Sequence, residues 1–121
     1  MKKSKNYEIR TSTKEELDKF CSDQGFVPTV ISRTIVIDGK PEGCGGIFRD
    51  EGRWYAFANF SDKARQHPVA LIRATKSLLD YVDSLGIRRI YNQVDLFEPT
   101  AHRFATAFGF MPLRGNLYVR E

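Results

Sequence analysis

Lys63, Arg65, Gln66 and His67 stand immediately before Pro68. Proline suits the first turn of a helix, where the N–H it lacks would be unbonded anyway. A helix opening there turns unpaired backbone N–H groups and the positive end of its dipole toward the preceding stretch. With Lys63, Arg65 and His67 at the side, this is chemistry for holding phosphate or another anion. The same charges also suit an ordinary solvated loop. Asp95 and Glu98 form a second group, beside Pro99 and just past an apolar run. Local structure offers each its own role, Asp95 as a turn residue and Glu98 as a helix N-cap or first-turn acid. Cys21 and Cys44 lack metal-ligand spacing and have no nearby histidine. Zinc is therefore not expected, and buried free thiols are. His102 falls one turn into a helical pattern, where a histidine is ordinary surface.

The elements that must position these groups follow from periodicity. The chain has 121 residues, the length of one domain, expected over 1–121. Hydrophobic residues at 41% suffice for a core of ordinary size, and charged residues at 28% exclude a disordered chain. Residues 6–11 alternate as a strand. Ser12/Glu15 or Thr13/Glu16 forms a capping box for a helix carrying Leu17, Phe20 and Cys21, with Gly25 as its stop. The β-branched run 29–37 ends at Asp38-Gly39, a hairpin signal. Residues 44–49 and 53–60 continue it, separated by the turn Asp50-Glu51-Gly52, so 29–60 is a three-stranded antiparallel meander. Val69, Leu71, Ile72, Leu78, Leu79 and Val82 mark a long helix up to Gly86. Residues 88–94 return as a strand. A helical crossover of this kind places that strand parallel to 53–60. Pro99 opens a last helix bearing Ala101, Phe104, Ala105 and Phe108. Gly109 closes it, and residues 115–120 form a final strand. The order β-α-β-β-β-α-β-α-β with a mixed sheet is of the α+β class.

This order, with Phe104-Ala-Thr-Ala-Phe-Gly-Phe110 at the last helix, resembles the GCN5-related N-acetyltransferase (GNAT) superfamily. The likeness covers roughly residues 6–120, and it is nearest to the degenerate acetyltransferase-like proteins of tailed phages. It implies a mixed, splayed sheet flanked by helices, acetyl-CoA as cofactor and an amine as acceptor, either a small molecule or a protein. In the superfamily a Gln/Arg-x-x-Gly-x-Gly/Ala loop cradles the pyrophosphate. The matching segment is Gln66-His67-Pro68-Val69-Ala70-Leu71, where Val69 and Leu71 replace the glycines and should obstruct the pyrophosphate. The resemblance implies cofactor contacts from Asn59, Phe60 and Ser61 at the end of the central strand, and from Lys63, Arg65, Gln66, His67, Val69 and Ala70. The motif tyrosine that returns a proton to the CoA thiolate is replaced by Ala105. Asp95 and Glu98 are the implied catalytic bases for the incoming amine.

The departures from the motif raise a rival from another class, a GNAT fold that has lost its chemistry and serves as a structural or interaction protein, for example in a phage. A third reading, nucleic-acid binding through the basic first five residues and Arg88-Arg89, draws on the net charge of +4. No apolar run is long enough to span a membrane and no signal peptide is evident, so the expected compartment is the cytoplasm, or the virion for a phage protein.

Overall fold

Thr13 and Glu16, not Ser12 and Glu15, close the capping box of the first helix. The Glu16 N–H donates to Thr13 Oγ1 at 3.1 Å and the Thr13 N–H donates to Glu16 Oε1 at 2.9 Å. A computed structural model of the chain describes this and the rest of residues 7–21 and 29–121. The strands are β1 (Tyr7–Thr11), β2 (Thr29–Ile37), β3 (Lys40–Asp50), β4 (Arg53–Phe60), β5 (Ile90–Gln93), β6 (Met111–Arg114) and β7 (Leu117–Arg120). The helices are α1 (Lys14–Cys21), α2 (Asp62–Arg65), α3 (Pro68–Ser84) and α4 (Pro99–Ala107). All strands join one sheet in the order β1-β2-β3-β4-β5-β7-β6.

The meander forms because both of its turns accept left-handed backbone. Asp38 and Gly39 have φ of 53° and 80°, and Glu51 and Gly52 have 51° and 82°. Paired positive φ values match the twist of the flanking strands. The strand after the crossover runs parallel to β4, as expected, with Trp54 opposite Ile90 and Tyr55 opposite Tyr91. Pairing stops there although β4 continues to Phe60, so the two strands part. β5 is shorter than the expected 88–94 because Arg89 sits at φ 59°, which interrupts extended backbone just before Ile90.

Two elements were not expected. The stretch read as a loop before Pro68 holds the single-turn helix α2. Ser61 caps it, accepting from the Ala64 N–H at 3.1 Å while its hydroxyl donates to Glu42 Oε1 at 2.6 Å. The final strand is half of a hairpin, β6 to β7, turning at Gly115 (φ 56°). Pro112 argues against a strand in the interior of a sheet but is tolerated at an edge. β6 is such an edge: all of its residues are exposed, and its register slips between Pro112 and Arg114.

The long helix packs through a stripe of Ala70, Ala74, Leu78, Leu79 and Val82. Its first half covers Ile35, Ile37 and Ala64. Its second half joins Ile47, Ile90, Val94, Ala105, Phe110 and Tyr118 under α4. Each fully buried aliphatic side chain contributes on the order of 1.5–3 kcal/mol. On the opposite face of the sheet, α1 is pinned by a buried polar cluster. Thr34 Oγ1 donates to Glu16 Oε1 at 2.9 Å, and both nitrogens of the Arg10 fork reach the Glu16 carboxylate. The Cys44 thiol is free and fully buried, 3.3 Å from Thr34 Oγ1. Burial pushes the Glu16 carboxyl up, but the bonds from Arg10, the Thr13 N–H and Thr34 outweigh it and hold the group at about 2.

The basic cluster of the first five residues and Gly25 lie outside the described residues, as does the side chain of Cys21. Among the described residues no helix is long and apolar enough to cross a membrane.

Candidate functional site

Where β4 and β5 part, the chain builds a cleft. Its floor is Ala56, Phe57 and Ala58 on one side and Asn92 on the other. Leu78 and Leu79 of α3 form one wall, and Phe104, Ala105 and Phe108 of α4 form the other. The cleft holds a space of about 120 Å³, open on one side and mostly apolar. It exists because the residues beneath α3 are small: Gly45, Gly46, Ala58 and Ala74 all border it. After Tyr55 the outer edge of β4 has no strand partner. Beyond Ala56, the alternate residues Ala58 and Phe60 therefore turn their backbone N–H and C=O toward the gap. An extended ligand with amide groups can take up those bonds as a strand would.

The loop ahead of α3 spends most of its donors internally. The N–H groups of Arg65, Gln66 and His67 donate to Ser61, to Asp62 and Lys63, and to Ala64 respectively. Pro68 has no N–H, and the first bond of α3 runs from the Leu71 N–H to the His67 carbonyl at 3.1 Å. Val69 and Ala70 are left as the donors at this helix end. The cations divide similarly. Lys63 pairs with Asp38 at 3.1 Å, and His67 Nδ1 meets the Lys63 carbonyl at 2.9 Å. Arg65 is exposed and has no ion-pair partner among the described residues. Gln66 is exposed beside it.

The other expected cofactor residues scatter. Phe60 lines the cleft. Asn59 lies opposite Cys44 in the β3–β4 register, so its side chain takes the alternate face from Phe60. The Ser61 N–H is engaged by the Glu42 carbonyl at 2.8 Å. Ala70 is buried between α3 and the sheet, Val69 is 54% exposed, and Leu71 packs half-buried on the cluster around Ile35. Asp95 and Glu98 are both exposed on the loop after β5, and neither lines the cavity. Asp95 Oδ1 accepts the Phe97 N–H at 3.0 Å, a turn role. Glu98 occupies the N-cap of α4 without a side-chain cap bond. Its Oε1 accepts only the Thr100 hydroxyl, at 3.4 Å, so it is the more loosely held of the two carboxylates.

Sequence reasoning missed two features. His102, expected as ordinary surface, meets the side chain of Tyr118 across α4 and β7. Arg33 borders the cleft from β2. Its alternation within a β-branched strand carries no signal of that, because only the packing of α3 shows which strand face is enclosed. Among the described residues no cluster of His, Cys, Asp and Glu could hold a metal ion.

No protein-family model matches the chain, and no curated protein matches it. Solved structures do. A Klebsiella pneumoniae protein assigned as an acyl-CoA N-acyltransferase superposes with a TM-score of 0.71 at 16% identity, over 94% of this chain and 96% of its own. A GNAT-family acetyltransferase from Staphylococcus aureus gives 0.69 at 13%, over 94% and 98%. A GNAT-family acetyltransferase from Elizabethkingia anophelis with acetyl-CoA bound gives 0.69 at 10%, over 98% and 99%. At such identities the likeness establishes the fold, and the fold is that of the GNAT acetyltransferases.

Proposed function

We propose that this protein transfers an acyl group from an acyl-CoA thioester to an amine. The observation that carries the proposal is the parting of β4 and β5 after Tyr55 and Tyr91, which leaves an unpaired backbone edge beside an apolar cavity. The pantetheine arm carries two amides on a flexible chain, and the edge from Ala56 to Phe60 is complementary to it. The phosphate end is served less well. Arg65 and the Val69 and Ala70 N–H groups would hold it, flanked by Lys63, Gln66 and His67.

The chemistry assigned to the site is direct attack. The amine nitrogen bonds to the thioester carbonyl carbon, the C–S bond breaks, and the thiolate takes up a proton. Attack through a covalent acyl-enzyme on Cys44 is not part of this reading, because that thiol is fully buried on the opposite sheet face. Glu98, on the loop beyond β5, is the proposed base for the amine, with Asp95 holding the loop. Ala105 occupies the family's tyrosine position and cannot return the proton, so water does so.

Titration with acetyl-CoA, followed by calorimetry and by thermal shift, tests the reading. Binding stabilises the folded chain by mass action, so saturable heat and a rising Tm are expected. No heat and no shift at millimolar ligand would overturn it and leave a protein that keeps the fold for an interaction role.

A further inference from the structure

Arg33 is a half-buried cation on the boundary of a mostly apolar cavity whose other polar side chains are Thr75 and Asn92. Among the described residues no carboxylate pairs with it. Its guanidinium lies over the Tyr81 ring at 5.0 Å, and Nη1 donates to the adjacent Ser32 carbonyl at 3.1 Å. A guanidinium carries more donors than these contacts use. Charges withdrawn from water are ordinarily paired.

The strand register shows what lies between Arg33 and the free edge of β4. Arg33 is opposite Gly45, and Gly45 is opposite Ala58 on β4. Cross-strand partners share a sheet face, so the row under α3 reads arginine, no side chain, methyl. At ~4.8 Å per strand step, the backbone at Arg33 is roughly 10 Å from that at Ala58. A Cβ at Gly45 would stand 3.3 Å from Phe60 Cζ and narrow this passage. Ala74 and Leu78 of α3 roof it.

We propose that the passage selects an acyl group ending in a carboxylate, a short dicarboxylic acyl thioester of the succinyl or glutaryl kind, with Arg33 binding the distal carboxylate. This rests on the acyl-transfer reading above. The methylenes lie on the apolar floor at Gly45 and Ala58, and the carboxylate meets the guanidinium in charge-assisted hydrogen bonds. The transfer step is unchanged: the N–C bond forms, the C–S bond breaks, the thiolate takes the proton, and the distal carboxylate is a spectator. The product is an amide, in which the amine's positive charge is gone and the distal carboxylate adds a negative one.

The experiment compares acetyl-CoA, butyryl-CoA and succinyl-CoA by calorimetry at two salt concentrations. Butyryl-CoA matches the succinyl chain in length without its charge. Succinyl-CoA should bind at least ~10-fold more tightly than butyryl-CoA, the scale of a hydrogen bond to a charged group. Arg33→Met should collapse that ratio to near one. If Arg33→Met does not fold, the unmodified protein still decides, through the succinyl-to-butyryl ratio. Equal binding of the two, with acetyl-CoA bound, overturns this inference alone. Failure of all three thioesters to bind overturns it together with the acyl-transfer reading.

Discussion

His102 Nδ1 lies 2.5 Å from the hydroxyl of Tyr118, joining the middle of α4 to β7. The rings stand edge to face, 5.7 Å apart. Tyr118 is only 3% exposed, so its hydroxyl depends on this partner, while His102 is open to water. The bond ties α4, whose Phe104, Ala105 and Phe108 line the cleft, to the sheet. His102→Ala should cost about 1 kcal/mol, with water replacing part of the bond. Tyr118→Phe should cost no more. The double variant should cost less than the sum, because both changes break one bond. Urea unfolding midpoints at constant m measure all three.

The Glu16 carboxyl, held at about 2 against an ordinary 4.5, makes stability depend on pH. A lowered folded-state value contributes stability that is fully present above about pH 5. It is lost as pH falls through the window from roughly 4.5 to 2. The shift corresponds to up to ~3 kcal/mol, less to the extent that water screens the partly exposed Arg10. Glu16→Gln should lower stability at pH 7 and flatten the acid limb. An acid limb equally steep in the variant would place the dependence on other carboxylates.

Arg65→Ala should weaken acetyl-CoA binding by roughly tenfold and reduce its salt dependence, since Lys63 is already paired with Asp38 and Arg65 has no ion-pair partner among the described residues. Calorimetry at low and high salt reads both effects. An unchanged affinity would place the phosphates away from α3.

Val69→Gly should tighten acetyl-CoA binding by clearing the approach to the helix end. Its stability cost is about 1 kcal/mol, because Val69 is half in solvent. Leu71→Gly is a poor test of the same idea. Leu71 packs on the cluster around Ile35, and its removal should cost about 3 kcal/mol or more. Paired thermal melts and titrations separate the two effects.

Glu98→Gln should lower kcat/KM for acyl transfer about 10²-fold, the scale of a lost general base. Asp95→Asn should change it little, because the amide oxygen can still accept the Phe97 N–H. The opposite pattern would make Asp95 the base and Glu98 the local cap.

The parallel crossover was legible because Pro68, Gly86 and the spacing of Leu78, Leu79 and Val82 bracket one helix between two apolar strands, although Val69 and Ile72 of the same pattern face solvent and the alanines Ala70 and Ala74 take the buried positions. The meander was legible because Asp38-Gly39 and Glu51-Gly52 suit left-handed turns. β6 was not, since Pro112 argues against a strand wherever edge and interior are undecided. α2 was not, because a single turn has no periodicity and its cap, Ser61, depends on Glu42 from another strand. The site divides the same way. Its local parts, the Asp95 turn and the cap position of Glu98, follow from neighbouring residues. The cleft lining does not: Arg33, Gly45, Ala58 and Asn92 come from separate strands, and their register becomes known only when the sheet is assembled.

The slipped register of β6 and the missing N–H of Pro112 bear on how the molecule behaves in a crowd. An open sheet edge is a template on which a second chain can crystallise strand by strand, and β6 carries the exposed side chains of Met111 and Leu113. Pro112 deletes one donor from that template, and the bulge beside it spoils the spacing of the rest. At the far margin β1 turns the charged Glu8 and Arg10 outward or into the Glu16 pair. Fibril seeding is thus resisted at both ends of the sheet, and the greasy corner of the molecule can stay open to water without propagating.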